Sequence, residues 1–366
     1  MPEDNRLTAE QELCLRAASA GHNFLIFSEA GTGKSAVVVH ICRLFHLGGK
    51  KFQVVCSTGI ACEVFEDRLP AYHKPITINS FLGIGTAEGP FNNVVSKACR
   101  NETVARRIRE IGSIVFYECS MGSARQLELF HAITAALRGS NKPFGGIQVT
   151  AVGDFLQLKS VPSNFDDGAM MFHSKIFPKL FLHTIELTVI HRLEEGEESF
   201  KSVLRELRRG MCSEESLAFI KTRLNSPIDE SEGAVHLYFT NAASEAHNAD
   251  CLYRLEGERF FFLAKDFGDV AGLKCPALKE AFFKKGAPVI CLYNINDVLH
   301  NGTRGSFLRK DGDNAIIEVN GGEYVIKPVT WYNVNKEGKQ VGVKEPNPLE
   351  ALLGPHYTQI AGIAAR

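Results

Sequence analysis

A glycine-rich turn between an apolar strand and a helix is the feature that most constrains the fold of this chain. An apolar run at 24–27 precedes it, and a mostly apolar segment at 36–42 follows. The turn itself reads Ala30, Gly31, Thr32, Gly33, Lys34 and Ser35. Glycines let the backbone curl so that its N–H groups point at phosphate oxygens, and the helix N-terminus adds partial positive charge. The arrangement predicts a site for ATP or a related nucleotide, with Lys34 on the phosphates and Ser35 on Mg²⁺.

One position departs from the usual form of this turn. The motif normally starts with glycine, whereas this chain has Ser28 there. If that position needs a positive φ, serine costs about 1 kcal/mol relative to glycine. A glycine-rich surface turn without a ligand is the alternative interpretation.

Composition limits the class of protein and of partner. The 366 residues suffice for two domains and a small third. Lysine and arginine total 41 against 42 aspartates and glutamates, so any contact with nucleic acid must use a local channel rather than a bulk basic field. The scattered basic pairs are expected to be solvated surface. They are Arg106-Arg107, Arg208-Arg209 and Lys284-Lys285.

Cysteine and histidine spacing favours neither disulfides nor zinc. The ten cysteines include no Cys-x-x-Cys pair, and the twelve histidines show no His-x-x-x-His spacing. We expect thiols in a reducing compartment. No apolar run reaches the length of a membrane span, and residues 1–4 are acidic rather than the start of a basic-apolar leader. A nuclear or cytoplasmic location without membrane contact follows as an expectation.

Four apolar runs predict buried parallel strands, because strands covered on both faces are continuously apolar. They lie at 24–27, 52–56, 113–116 and 148–152. Helical spacing between the last two predicts a helix that ends at Gly139. Strands that alternate with helices form a parallel α/β sheet, whose ligand crevice lies at the carboxyl ends of the strands.

A second region begins near residue 185. Apolar spacing at 200–207 predicts an amphipathic helix ended by Gly210, and Ser213 is a predicted N-cap of the next helix. Turn signals such as Asn301-Gly302 and Asn320-Gly321 then separate short apolar runs. This pattern predicts a small all-β module near 296–345.

Two segments at strand ends carry further candidate chemistry. Gln157 follows the strand at 148–152 and could touch the γ-phosphate or orient the attacking water, although the segment alone could equally be a surface turn. Small residues at 57–61 follow the second strand and would let a nucleic-acid backbone approach main-chain N–H groups.

These segments together resemble the Pif-type DNA helicases of the Pif/RecD-like branch of superfamily one, over roughly residues 7–360. The similarity rests on the turn at 30–35 and on five groups of residues. They are Leu7-Thr8-x-x-Gln11, Thr58-Gly59-Ile60-Ala61, Thr77-Ile78-Asn79-Ser80-Phe81, the stretch 143–158, and Glu186-Leu187-Thr188 followed by Arg192. In the second domain, 239–241 and 301–305 also match.

The resemblance implies an ATP-dependent, 5′-to-3′ DNA helicase of repair, recombination or telomere maintenance, with ATP and Mg²⁺ as cofactors. It implies a RecA-like P-loop NTPase domain at 1–184, a partial second RecA-like domain at 185–295, and a small SH3-like β module with the tail at 296–366. Single-stranded DNA and duplex junctions are the implied partners. The oligomeric state is left open, with a monomer as the expectation. The implied roles are adenine reading by Gln11, catalysis by Lys34, Glu118, Gln157 and Arg192, metal binding by Ser35, and strand contact by Thr58, Gly59, Ser80 and Phe81.

Departures from the family pattern leave activity open. The family's Asp-Glu pair is Tyr117-Glu118 here, so the carboxylate that would hold the Mg²⁺ hydration shell is missing. The family's further motifs beyond a segment like 358–360 do not follow, and we expect a chain truncated before them. The alternative to a helicase is therefore a catalytically impaired remnant or fragment that binds nucleotide, DNA or a partner without unwinding.

Overall fold

The computed structural model describes most of the chain, in two compact units. The described residues are 7–65, 68–70, 73–191, 197–224, 236, 238–263, 265–268, 280–291, 295–296, 298–299, 303–328, 331–334, 340–345 and 352–353. Backbone contacts define the units as Met1–Ser226 and Pro227–Arg366. The domain boundaries predicted at 184 and 295 stay predictions.

The first unit is built on a six-stranded sheet in which every neighbouring pair is parallel. Its strand order is β3-β2-β4-β5-β1-β6. The strands are β1 (Phe24–Ser28), β2 (Phe52–Cys56), β3 (Ile76–Thr77), β4 (Ser113–Tyr117), β5 (Gln148–Gly153) and β6 (His183–Leu187). All four predicted strands are confirmed, and so is the α/β class.

Helices cover both faces of this sheet. They are α1 (Ala9–Ser19), α2 (Lys34–Leu47), α3 (Gly59–Glu63), α4 (Ile78–Leu82), α5 (Phe91–Arg100), α6 (Glu102–Glu110), α7 (Ala124–Arg138), α8 (Phe177–Leu180), α9 (Glu198–Arg208) and α10 (Glu214–Arg223). Gly139 ends α7 with φ of 58°, as predicted, because a residue without Cβ adopts the left-handed cap at little cost. Ser213 caps α10 by accepting from the Ser216 N–H at 3.1 Å, which confirms the predicted N-cap.

Two hydrophobic cores lie on opposite faces of the sheet, and β4 contributes to both by alternation. Ile114 and Phe116 pack into the core that contains α7. Val115 and Tyr117 pack into the core that contains α2. This alternation places the Tyr117 side chain on the face of the sheet that α2 covers.

The second unit combines one helix with antiparallel strands. Its elements are α11 (Asn241–Arg254), β7 (Arg259–Leu263), β8 (Lys265–Gly268), β9 (Glu280–Lys284), β10 (Pro288–Cys291), β11 (Arg304–Asp311), β12 (Asn314–Val319), β13 (Gly322–Ile326), β14 (Trp331–Val334), β15 (Gln340–Glu345) and β16 (Leu352–Leu353). The sheets are β13-β12-β11-β10-β16, β14-β15-β8 and β7-β9.

The predicted turn at Asn320-Gly321 is confirmed, since both residues have positive φ, 51° and 79°, between β12 and β13. The turn predicted at Asn301-Gly302 lies outside the described residues. The SH3-like class of this region stays a prediction. Within the described parts of the chain, no helix has both the length and the apolar character needed to cross a bilayer.

Candidate nucleotide-binding cleft

The glycine-rich turn has the backbone shape that the sequence predicts, although the strain expected at Ser28 is absent. Gly31 and Gly33 adopt φ of 86° and 84°. Ser28 is the last residue of β1 and is not among the residues with positive φ. The expected cost of serine at this position is therefore wrong, because the left-handed backbone begins only at Gly31.

Lys34 begins α2 and is held over the turn. Its ammonium donates to the carbonyls of Ser28 at 3.1 Å and Glu29 at 2.8 Å. The Thr32 hydroxyl donates to the same Glu29 carbonyl at 3.0 Å. These bonds fix the turn internally, so Lys34 is presented at the start of the helix as a positive charge in a defined place.

A cleft of about 360 Å³ opens in front of the turn and collects most of the predicted catalytic residues. Its lining comprises Ala30, Gly31, Gly33, Lys34, Ser35, Tyr117, Glu118, Gln157 and His191. These residues lie at or after the carboxyl ends of β1, β4, β5 and β6, so the cleft lies where parallel α/β sheets bind ligands. Its volume falls within the range of small-molecule sites.

Tyr117 and Glu118 form one wall of the cleft. The Tyr117 ring packs edge-on against Phe65, with centroids 4.8 Å apart. Burial, and next the neighbouring Glu118 charge, raise the pKa of Tyr117 to about 12, so the phenol is neutral at physiological pH. Burial also raises the pKa of the Glu118 carboxyl, while the Lys34 charge opposes that shift. Glu118 adopts a left-handed φ of 53°, which is uncommon for a residue with a side chain.

The donor set around Ser35 does not fit a resident Mg²⁺ ion. The Ser35 hydroxyl accepts a hydrogen bond from Nη1 of Arg68 at 3.2 Å and also interacts with the Tyr117 phenol. Among the described residues that line the cleft, Glu118 is the only carboxylate. Protein sites for Mg²⁺ use one or two carboxylates plus substrate phosphates, so Glu118 meets only the lower limit and the misfit lies at Ser35 itself. Here a neutral phenol stands beside Ser35, and a guanidinium already contributes positive charge.

Asp154 links the predicted water-orienting residue to α9. Its carboxylate is fully buried and accepts from Nε2 of Gln157 at 3.0 Å. Arg208 donates to the same carboxylate at 2.7 and 3.3 Å and also lies 3.6 Å from Glu29. The expectation that Arg208 is solvated surface is therefore wrong.

Gln11 and His191 lie beside Gly33. Gln11 is buried, and a Cβ on Gly33 would come within 2.8 Å of its Nε2 atom. His191 donates its backbone N–H to the Gly31 carbonyl at 2.8 Å. Sequence reasoning missed His191, although its position next to Arg192 was a usable signal. Arg192 itself lies outside the described residues, and its predicted role stays a prediction.

The residues predicted to contact DNA lie on two neighbouring segments, because β2 and β3 pair through Cys56 and Thr77. The Thr58 hydroxyl caps α3 by accepting from the Ala61 N–H at 3.2 Å, and Gly59 is the first residue of that helix. The Thr77 hydroxyl donates to Ser80 Oγ at 2.9 Å.

The Phe81 ring is fully buried and Ser80 is exposed, so the ring has no surface for the predicted DNA contact, and the contact predicted for Ser80 stays a prediction. Arg107 on α6 donates to the carbonyls of Ser80 at 3.1 Å and Phe81 at 3.0 Å. It thereby anchors α4 at the sheet edge. The prediction that Arg107 is solvated surface is wrong for this reason.

Comparison with known proteins agrees with this architecture. The sequence model of the PIF1-like helicases matches residues 6–217. The chain is 31% identical over 315 residues to the ATP-dependent DNA helicase PIF1 of Saccharomyces cerevisiae, covering 82% of this chain and 35% of the relative. The crystal structure of Pif1 helicase from Candida albicans superposes with a TM-score of 0.74 at 27% identity, covering 97% of this chain and 86% of that one.

A second solved structure supports the fold alone, since its identity is low. Bacteroides Pif1 bound to single-stranded DNA has a TM-score of 0.77 at 22% identity, covering 97% of this chain and 82% of that one. The chain spans about a third to a half of the length of the curated relatives that it matches.

Proposed function

Because the chain belongs to the PIF1-like helicase family, we propose that it acts as an ATP-dependent DNA helicase. In this proposal ATP hydrolysis drives movement along single-stranded DNA in the 5′-to-3′ direction and opens duplexes at junctions. The cellular roles are repair, recombination or telomere maintenance, and the protein works as a monomer in the nucleus or cytoplasm. The observation that carries the proposal is the convergence of Lys34, Ser35, Glu118 and Gln157 on one cleft.

The chemistry proposed for the cleft follows from its charges. The curled backbone and Lys34 bind the phosphates, and Gln11 reads the adenine. Gln157, held by Asp154, orients the attacking water, and Glu118 takes the proton from that water. Arg192 reaches the γ-phosphate when the cleft closes. The donors at Ser35 do not fit the Mg²⁺ ion that the family resemblance implies there, so no step of the proposed chemistry passes through a metal ion.

The proposed track for single-stranded DNA is the edge formed by Thr58, Gly59 and Ser80. Small and hydroxyl-bearing residues let main-chain N–H groups and side chains contact the phosphate backbone. Binding through backbone contacts weakens with added salt, because it releases counterions.

The proposal is tested by measuring ATP turnover with and without single-stranded DNA. The Lys34→Ala variant removes the phosphate-binding charge, and Lys97→Ala removes an exposed lysine on α5 as the matched control. Turnover that DNA stimulates, that Lys97→Ala retains and that Lys34→Ala loses supports the proposal. Unwinding of duplexes with a 5′ tail but not of those with a 3′ tail supports the direction. No turnover under any of these conditions contradicts a helicase.

Tyr117 favours a second candidate function, the binding of nucleotide and single-stranded DNA without unwinding. At position 117 a neutral phenol replaces the carboxylate of the family's acidic pair, so the cleft lacks one charged group for ATP hydrolysis. In this case ATP and DNA bind, and turnover is absent. Recovery of turnover in Tyr117→Asp would assign the loss to this residue.

A further inference from the structure

A guanidinium contacts the hydroxyl at which a phosphate-loop site usually holds its metal ion. Nη1 of Arg68 donates to Ser35 Oγ at 3.2 Å. A turn fixes the backbone of this residue: the Arg68 N–H donates to the Phe65 carbonyl at 3.2 Å, and the N–H of the buried Leu69 donates to the same carbonyl at 3.1 Å. Phe65 in turn packs on the Tyr117 ring. Phe65 and Tyr117 thus form a packed pair, and the exposed Arg68 follows Phe65 in the turn and reaches Ser35.

The charges around Ser35 favour the positive charge of an arginine side chain over that of a bound metal ion. Tyr117 adds a hydroxyl without adding negative charge, and the charge of Lys34, which lines the same cleft, already acts on the Glu118 carboxylate. A divalent ion would therefore gain little from protein ligands and would meet the positive charge of Arg68. Guanidinium groups are always charged and bind phosphate oxygens with two parallel hydrogen bonds.

We propose that Arg68 supplies, next to Lys34, the positive charge that a divalent cation supplies in other phosphate-loop sites, so that this protein binds ATP without Mg²⁺. The inference rests on the proposed nucleotide binding of the same cleft. Because the guanidinium belongs to the chain, the positive charge that binds the ATP phosphates is present whether or not a metal ion is bound. Tyr117 contributes because it occupies the position at which a carboxylate would favour metal binding.

The experiment is calorimetric titration of the full chain with ATP, once in excess EDTA and once in excess Mg²⁺. We expect the two dissociation constants of the wild-type protein to agree within about threefold. In EDTA, Arg68→Ala is expected to weaken binding about tenfold. Arg43→Ala, which removes an exposed arginine from α2, is the matched control and keeps the wild-type affinity. The double variant Arg68→Ala/Tyr117→Asp is expected to regain affinity only when Mg²⁺ is added.

Each result decides the inference. Wild-type binding that requires Mg²⁺ overturns it, and so does an Arg68→Ala variant with unchanged affinity in EDTA. These failures leave the nucleotide site itself intact, because ATP still binds and Lys34→Ala still abolishes binding. Absence of ATP binding both with and without Mg²⁺ contradicts the proposed function and this inference together. Circular dichroism of each variant separates a lost contact from a lost fold.

Discussion

The guanidinium of Arg208 lies 2.7 Å from Oδ1 of Asp154, a carboxylate with no solvent exposure. The arginine side chain is itself only 16% exposed, so the pair is shielded from water on both sides. Since the same carboxylate accepts from Gln157, one ion pair joins α9 to the predicted water-orienting residue. The position of Gln157 in the cleft therefore depends on α9.

Removing Arg208 should destabilise the first unit. Arg208→Ala leaves Asp154 as a buried charge without its cationic partner, for which we expect a loss of about 3 kcal/mol in the free energy of unfolding. Urea denaturation followed by far-ultraviolet circular dichroism measures it. Arg209→Ala, at the exposed neighbour, is the matched control and should change stability by less than about 0.5 kcal/mol. Equal effects of the two variants would argue against a structural ion pair.

Arg107 should affect DNA binding through α4. Arg107→Ala frees the carbonyls of Ser80 and Phe81, so we expect weaker binding of single-stranded DNA and a stability loss of about 1–2 kcal/mol. Binding of a labelled oligonucleotide measured by fluorescence anisotropy reports the first effect. The exposed neighbour Arg106 serves as control, because Arg106→Ala removes the same charge without touching α4. If both variants weaken DNA binding equally, charge rather than position is responsible.

Lys284 should stabilise the second unit. Its side chain is 5% exposed and donates to the carbonyls of Tyr253 and Leu255 at the end of α11. Lys284→Met removes two charge-assisted hydrogen bonds, and we expect a loss of about 2 kcal/mol. Trp331, the only tryptophan of the chain, lies in this unit, so its fluorescence during urea denaturation follows the transition. Lys285→Met at the exposed neighbour should leave the midpoint unchanged.

In the three basic pairs, the sequence does not predict which of the two residues is buried. In each pair one residue makes buried or backbone-anchoring bonds and its neighbour is exposed. Adjacent side chains diverge by about 100° on a helix and point to opposite faces of a strand. Charge counts carry no information about which of the two faces the core, so the pairs could not be resolved without the fold.

The strands that could be predicted are those covered on both faces. β1, β2, β4 and β5 are continuously apolar for that reason. β6 was not predicted as a strand, because its first two residues and Glu186 are exposed at the sheet edge and interrupt the apolar run. β3 contains only two residues and leaves no periodic signal.

The phosphate-binding part of the site could be predicted from local sequence, because the turn and its helix are contiguous. The contacts of Arg68 with Ser35 and of Arg208 with Asp154 could not be predicted, since tertiary packing alone brings these residues together.

Gly33 should be required for a reason beyond its backbone angle. Gly33→Ala places a Cβ within 2.8 Å of Gln11 Nε2, so we expect Gln11 to move and ATP binding to weaken at least about tenfold. Gly21 has a similar φ of 81°, and a Cβ added there would meet nothing within 4 Å, so Gly21→Ala controls for backbone strain. Both variants should lose about 1 kcal/mol of stability, and only Gly33→Ala should lose affinity for ATP. Equal affinity of the two variants would exclude a steric role for Gln11.

Glu118 should make stability depend on pH with a defined sign. Burial raises its pKa above the ordinary value of 4.5, so the folded protein binds this proton more tightly than the unfolded chain does. At low pH the buried carboxyl is protonated and carries no free-energy cost of burying a charge. As the pH rises through the raised pKa, the carboxyl ionises and the folded state loses stability. Glu118→Gln should therefore be more stable than wild type at neutral pH and equal to it in acid, as measured by urea denaturation across pH. Glu12→Gln, which removes an exposed carboxylate from α1, is the control. A stability difference for Glu118→Gln that shrinks as pH rises would contradict the assigned burial of this charge.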